Sequence, residues 1–234
     1  MSNRLMPISD VAKFILEGGE IMTPSYIVGQ PRDYRLHLGN GVLTLGGGKQ
    51  VTEPKASFKV LPVSVREIEG AIFGQSAKKW YEVYFINEAG HLSQFMFHGF
   101  SVDNLNRASQ ELRYDETKLC EVIWNIRLVE KTNKATNSTY FMAEFSFEEV
   151  TTADLVTLKA VQKNIAENHG AIYRQDTRGT ETIYSENWGV KEQVVLEVAE
   201  EVAVETVVTE TVKTPKKATT SKKKATKKEV AVMA

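Results

Sequence analysis

The sequence predicts a mainly β protein with flanking helices, built around a small five-stranded antiparallel barrel and followed by a disordered tail. Three observations point there. Apolar residues alternate with a period of two along several short runs between residues 57 and 150. That alternation is broken once by a helical period, from Ser101 to Leu112. The last forty or so residues lose complexity and become first Glu-rich, then Lys-rich.

The chain has 234 residues, 42% hydrophobic and 25% charged, with a formal net charge of −1. That composition is ordinary for a soluble globular protein, and a body of roughly 190 residues can bury a core without disulfides or metals. From Lys191 onward there are nine Lys against seven Glu, so residues 1–190 carry about −3. A body that is not basic has no broad electrostatic footprint for nucleic acid, and any such site must be a local groove. The single cysteine, Cys120, excludes an internal disulfide framework and a cysteine-based zinc cluster, and its apolar surroundings read as a buried structural thiol. No run of 18 apolar residues is present and the N-terminus lacks the hydrophobic stretch of a signal peptide. A cytoplasmic protein (in the host cytoplasm if viral) with no membrane partner is expected.

Taken in order, Ser9 or Asp10 can cap a short helix over Val11–Leu16, which Gly18-Gly19 stops. Leu36–Leu38 and Gly41–Leu45 read as short strands joined at Gly39-Asn40-Gly41, and Gly46-Gly47-Gly48 is a turn rather than a phosphate loop, because the spacing is wrong and no helix follows. Ser57–Ile68 reads as a long strand bent at Pro62. Lys79–Ile86, a hairpin turn at Asn87–Gly90 and Leu92–Phe97 follow. The helix then places Val102, Leu105, Ala108 and Leu112 on one face, with Ser101 as its N-cap. Strand period returns over Leu119–Val129, then a polar loop from Lys131 to Ser138, then clean alternation from Thr139 to Phe147.

Three strands, a helix and two more strands is the order of an OB-type barrel; closure removes exposed sheet edges. An open antiparallel sheet backed by the helix has the same order. A helix over Ala153–His169 and a hairpin within 171–188 are expected to pack on the barrel. Lys213–Lys228 holds eight Lys and cannot bury enough apolar surface to offset chain entropy. The expected organisation is an N-terminal extension (1–56), the barrel (57–150), a C-terminal helix and hairpin (151–190) and a disordered tail (191–234).

The signals for catalysis are thin. His37, His91, His98 and His169 show no metal-ligand spacing, and no HExxH, GxSxG or paired CxxC motif occurs. No cofactor and no enzymatic activity are expected. The signals for binding are stronger. Consecutive aromatics on a strand must point to opposite faces, so one of Trp80 and Tyr81, and one of Tyr84 and Phe85, is expected to be exposed or covered by other segments; an exposed ring can stack an unpaired base. The candidate nucleic-acid site comprises Lys78, Lys79, Trp80, Tyr81, Tyr84, Phe95, Trp124 and Tyr140, with Arg127, Lys131 and Lys134 holding phosphates from the loop between the fourth and fifth strands.

On Lys79–Ile86, on Phe95-Met96-Phe97-His98-Gly99 leading into the helix, and on the hairpin from Lys131 to Tyr140, the chain resembles the OB-fold single-stranded DNA-binding proteins of phages and other mobile elements. The resemblance implies a non-enzymatic protein that coats exposed single-stranded DNA during replication or recombination, without strong sequence preference. It also implies a possible homo-oligomer and contacts with replication proteins; RNA is a further possible ligand. Many members recruit partners through an acidic tail with a terminal aromatic, whereas this chain ends Val230-Ala231-Val232-Met233-Ala234 after its lysines. The tail can tether nucleic acid, and Glu-rich residues 192–210 can fold back on it. Two other readings stand beside this one: a structural or assembly protein (a virion or nucleoid component) whose β-domain self-associates, and a hydrolase or nuclease with dispersed residues.

Overall fold

The structure, a computed structural model, describes residues 5–28, 30–46, 48–72, 76, 78–168 and 180–187. The chain divides into two units, Met1–Glu192 and Gln193–Ala234. Every described residue belongs to the first; the expected disordered tail lies outside the described residues.

The protein is mainly β. Its strands are β1 (Arg32–His37), β2 (Val42–Leu45), β3 (Lys49–Gln50), β4 (Ser57–Val60), β5 (Pro62–Gly70), β6 (Lys78–Ile86), β7 (Leu92–His98), β8 (Val122–Asn133), β9 (Ser138–Glu149) and β10 (Thr180–Glu186). The α-helices are α1 (Phe100–Ala108), α2 (Gln110–Tyr114) and α3 (Thr152–Asn168), with short 3-10 turns at Val11–Phe14 and Leu119–Glu121. The strands form two open sheets, one ordered β10-β5-β6-β7-β1-β2-β3 and the other β4-β8-β9. The expected closed five-stranded barrel is therefore replaced by two sheets sharing one core.

The bend foreseen at Pro62 is what divides them. Val60, the last residue of β4, pairs with Trp124 in the small sheet. Pro62, the first of β5, pairs with Phe85 in the large one. Proline brings no N–H to a ladder, so it sits where one pairing ends and another begins. Leu61, between them, is fully buried. One chain segment thus feeds both sheets and holds their inner faces together.

Segments before residue 57 join the large sheet. β1 adds to β7 in parallel, with Tyr34 opposite Phe95, and β2 returns antiparallel with Leu43 opposite Leu36. Tyr34, Leu36 and Leu43 enter the same core as Phe58, Tyr81, Val83, Phe95, Trp124, Ile126 and Ala143. The turn between β1 and β2 meets the second sheet, where the Phe141 N–H donates to the Leu38 carbonyl (2.8 Å). Gly41 has φ +65° there, and a Cβ on it would lie 2.6 Å from the Phe141 ring, so glycine is required twice over.

The large sheet is covered on both faces. Its second face packs Leu61, Val63, Tyr84, Ile86 and Leu92 against Val11 and Phe14 of the N-terminal turn and Leu158, Val161 and Ile165 of α3. The N-terminal helix is shorter than expected: Asp10 caps it through the Ala12 N–H (3.0 Å), and Ile15 is already extended. Helix α3 follows expectation, with the Thr151 hydroxyl accepting from the Asp154 N–H at its start (3.2 Å). Of the expected hairpin within 171–188, β10 is described; it pairs antiparallel with the edge of β5. Its Glu186 is buried, and its carboxylate accepts the Leu119 and Cys120 N–H groups (2.9 and 2.7 Å) and the Tyr184 hydroxyl. This anchors the strand to the 3-10 turn; burial first, and then the Glu186 charge, pushes the Cys120 thiol pKa well up.

An ion pair lies inside this architecture. Arg66 and Glu82 sit opposite each other on β5 and β6, both buried, with Nε and Nη2 of Arg66 donating to Glu82 Oε2 (3.1 and 2.5 Å) and the Tyr84 hydroxyl donating to Oε1 (3.2 Å). A buried pair gains little net stability over an apolar pair of equal volume, but breaking it strands a charge. Glu82→Leu alone is expected to cost about 3–5 kcal/mol in urea unfolding, and the double variant Arg66→Met/Glu82→Leu to recover most of that.

Candidate nucleic-acid interface

Five of the expected stacking residues are core. Trp80 is 3% exposed, and Tyr81, Tyr84, Phe95 and Trp124 are fully buried. Each is also fixed by a specific partner. Trp80 Nε1 donates to the Gly70 carbonyl (3.3 Å) while its ring meets His98 edge-on. The Tyr81 hydroxyl donates to Asn106 Oδ1 (3.2 Å) and its ring stacks on Phe97. Trp124 Nε1 donates to the Leu119 carbonyl (2.8 Å), and its ring packs against Phe145 and Phe147. Phe95 meets Phe58 edge to face. The expectation failed because it assumed one outward face per strand. Strands β5, β6 and β7 are buried on both faces, so consecutive aromatics point into two different cores.

The cations are distributed differently. Lys78 is half-buried, with Nζ 5.4 Å from the Trp80 ring centroid and 3.5 Å from His98 Nδ1. Lys79 is exposed and lies 3.9 Å from Glu67. Arg127 and Lys131 share one carboxylate, that of Glu144, at 2.8 and 3.4 Å. Their proximity, and above all the Arg127 hydrogen bond, holds the Glu144 pKa below the usual carboxylate range. Lys134 is exposed in the β8–β9 turn. That turn is shorter than the expected loop, because β8 runs to Asn133 and β9 starts at Ser138 in unbroken register.

One expected aromatic, Tyr140, does reach the surface, and it meets a residue outside the expected site. The Phe100 and Tyr140 rings lie 6.3 Å apart, and Phe100 is 63% exposed. They border a cleft of about 390 Å³ lined also by Leu38, His98, Ser101, Asn133 and Met142. Local backbone chemistry sets this up. Gly99 adopts φ 64°, ψ −138°, a region open essentially to glycine, and caps α1 two residues earlier than the expected Ser101. Ser101 is accordingly not the cap; its hydroxyl accepts the Ala143 N–H (3.0 Å), pinning the helix to β9. Phe100 is left outside the buried stripe of Val102 and Leu105. A sequence signal existed: Phe100 directly follows Gly99 and does not belong to the helix's apolar period.

On β9, Tyr140, Met142 and Glu144 share a face, and on β8 so do Arg127, Val129 and Lys131, with Lys131 directly opposite Tyr140. The arrangement is a two-ring apolar cleft continuing into a strip of two cations and one carboxylate. Exposed ion pairs of this kind contribute about 0–1 kcal/mol, so a phosphate can displace Glu144 from Arg127 and Lys131 at little cost. No group of three or more His, Cys, Asp or Glu arranged to hold a metal occurs among the described residues. No helix among them is long and apolar enough to cross a membrane.

His98, at the cleft, has its pKa lowered, first by burial and then by the Lys78 charge. A lowered folded pKa means that stability is fully present above the unfolded value of about 6.5 and is lost as pH falls through the folded pKa. Wild type is expected to lose more thermal stability between about pH 7.5 and 5.5 than His98→Gln, compared by melting curves.

No family model matches the chain, no curated protein matches it, and no solved structure matches it.

Proposed function

We propose that this protein binds single-stranded nucleic acid, DNA foremost, with bases resting on Phe100 and Tyr140 and the backbone following Lys131, Arg127 and Lys134. The observation that carries this reading is the Phe100–Tyr140 pair, an exposed ring and a half-buried one bordering a cleft, beside cations on the same strand face as Tyr140. Stacking on an aromatic contributes about 1–3 kcal/mol per base and is indifferent to sequence, which fits a coat protein rather than a sequence reader.

The order of elements supports the same reading. A bent strand serving two sheets, a β5-β6-β7 meander, a helix and a β8–β9 hairpin follow one another in the sequence order of an OB-type protein, here in two open sheets with the β1–β2 hairpin added beside β7. In OB proteins the loop between the last two strands helps grip oligonucleotides. Here that loop holds Lys134.

The assembly reading has its own support. The far strand β3 is a sheet edge, and an exposed apolar cleft can equally take another protein surface. Fluorescence anisotropy of labelled oligo-dT separates the two. Phe100→Ala and Tyr140→Ala are each expected to weaken binding about 5- to 100-fold with the fold intact, and added salt to weaken wild-type binding. Unchanged oligo-dT affinity in both variants, or concentration-dependent self-association with no oligo-dT binding, would reject the nucleic-acid reading.

A further inference from the structure

At the opposite end of β7 from the Phe100 cleft, the segment between the Val11–Phe14 turn and β1 folds over the start of the strand. Ser25 is fastened there on both sides: its N–H donates to the Gly90 carbonyl (2.9 Å) and its carbonyl accepts from the Leu92 N–H (3.0 Å). A turn closed by the Gln30 N–H on the Ile27 carbonyl (2.9 Å) then brings the chain back to Arg32 at the head of β1. The result is a cavity of about 410 Å³ lined by Ser25, Tyr26, Ile27, Gln30, Arg32 and His91, with Leu92 at its floor.

Its electrostatics are one-sided. None of the lining residues is Asp or Glu. The carboxylates nearest in sequence are engaged elsewhere, Asp33 with Arg35 (3.1 Å) and Glu88 with Lys13 (2.6 Å). Among the described residues Arg32 forms no ion pair, and its recorded polar contact is Nη1 to His91 Nδ1 at 3.1 Å. A guanidinium has no acceptor, so His91 Nδ1 accepts and its remaining proton sits on Nε2. Burial, then the Arg32 charge, lowers the His91 pKa, in keeping with a neutral ring. Arg32 keeps the rest of its donor fork, His91 offers Nε2–H and Gln30 adds an amide, while the Ser25 hydroxyl donates to the Gly90 carbonyl (3.5 Å). At the rim, Ile27 and Val28 are each 67% exposed.

We infer that this cavity is an anion site for a terminal phosphate carried on a small apolar body, that is, a phosphate monoester. A guanidinium fork is matched to phosphate oxygens, and an imidazole N–H and an amide line the same cavity with no carboxylate among them. The exposed Ile27-Val28 tip and the Tyr26 ring supply the apolar wall that the organic part would cover. The site is independent of the Phe100 cleft. The seven residues of β7 separate them by roughly 20 Å at the usual rise of a strand, so either assignment stands or falls without the other.

The test is a titration of the full chain with phenyl phosphate and with inorganic phosphate, at constant ionic strength made up with chloride. Calorimetry and the His91 ring signals in NMR are the two readouts. Wild type is expected to bind both at millimolar or lower concentration, phenyl phosphate more tightly, with His91 signals shifting. Arg32→Gln is expected to weaken both by about tenfold or more. Ile27→Asp, at an exposed rim position where folding is not at stake, places a carboxylate beside the fork and is expected to abolish binding even if Arg32→Gln fails to fold. Absence of binding by wild type, unmoved His91 signals, or equal binding by Ile27→Asp would overturn the assignment. Equal affinity for the two ligands would overturn the monoester class.

Discussion

The segment from Ser57 to Gly70 is one strand that works in two ladders. Up to Val60 it pairs with Trp124 and its neighbours; from Pro62 it pairs with Phe85 and its neighbours. The turn at Leu61 therefore sets the angle at which two sheets face each other, and what lies between them is a shared core of aromatic and branched side chains. Much else follows. The inner faces must be apolar throughout, α1 must be pinned to β9 through Ser101, and β1 is drawn in beside β7 to cover Tyr34 and Leu36. An aromatic core of this kind gains edge-to-face and stacked contacts of about 0.5–1.5 kcal/mol each beyond area burial, which fixes ring orientations as well as positions.

Covering the large sheet on both sides has a consequence for function. Rings that alternate along β6 have no solvent side to alternate toward. Trp80 and Tyr84 face the layer that also holds Arg66 and Glu82, while Tyr81 and Phe85 face the shared core. The polar groups buried with them are satisfied rather than reactive: among the described residues no buried side-chain nitrogen or oxygen lacks a hydrogen bond. Glu186 is the extreme case, a carboxylate that closes a 3-10 turn and holds an edge strand at once.

Much of the fold was legible in the sequence. The bend at Pro62, the β6–β7 hairpin turn at Asn87–Gly90, the β1–β2 turn at Gly39–Gly41 and the helical interval after Gly99 all left local signatures, because turns and caps are decided by a few residues in contact with one another. Sheet partnership is not local. Nothing in Arg32–His37 announces a parallel pairing with β7, and period-two alternation cannot distinguish a strand with one wet face from one packed on both. The continuous apolar run Val83-Tyr84-Phe85-Ile86 was the available clue to two-sided burial. The candidate site suffered from the same ambiguity. Tyr140 survived as a surface ring, and Arg127, Lys131 and Lys134 as exposed cations, since hairpin ends are wet. Phe100 lies outside any strand pattern, and as the first residue of α1 its exposure depends on where Gly99 starts the helix.

Beside the cations of the β8–β9 hairpin two rings reach solvent, the exposed Phe100 and the half-buried Tyr140, with the strip of Arg127 and Lys131 next to them. If unpaired bases stack on the proposed site they do so there, since Trp80, Tyr81, Tyr84, Phe95 and Trp124 are sealed. Photo-cross-linking of an iodouridine-substituted oligonucleotide, with the linked residues read by peptide mass spectrometry, addresses that directly. The account predicts adducts at Phe100 and Tyr140. Adducts at Trp80, Tyr84 or Trp124 would contradict it, because those side chains cannot meet a base while both sheets keep their cover.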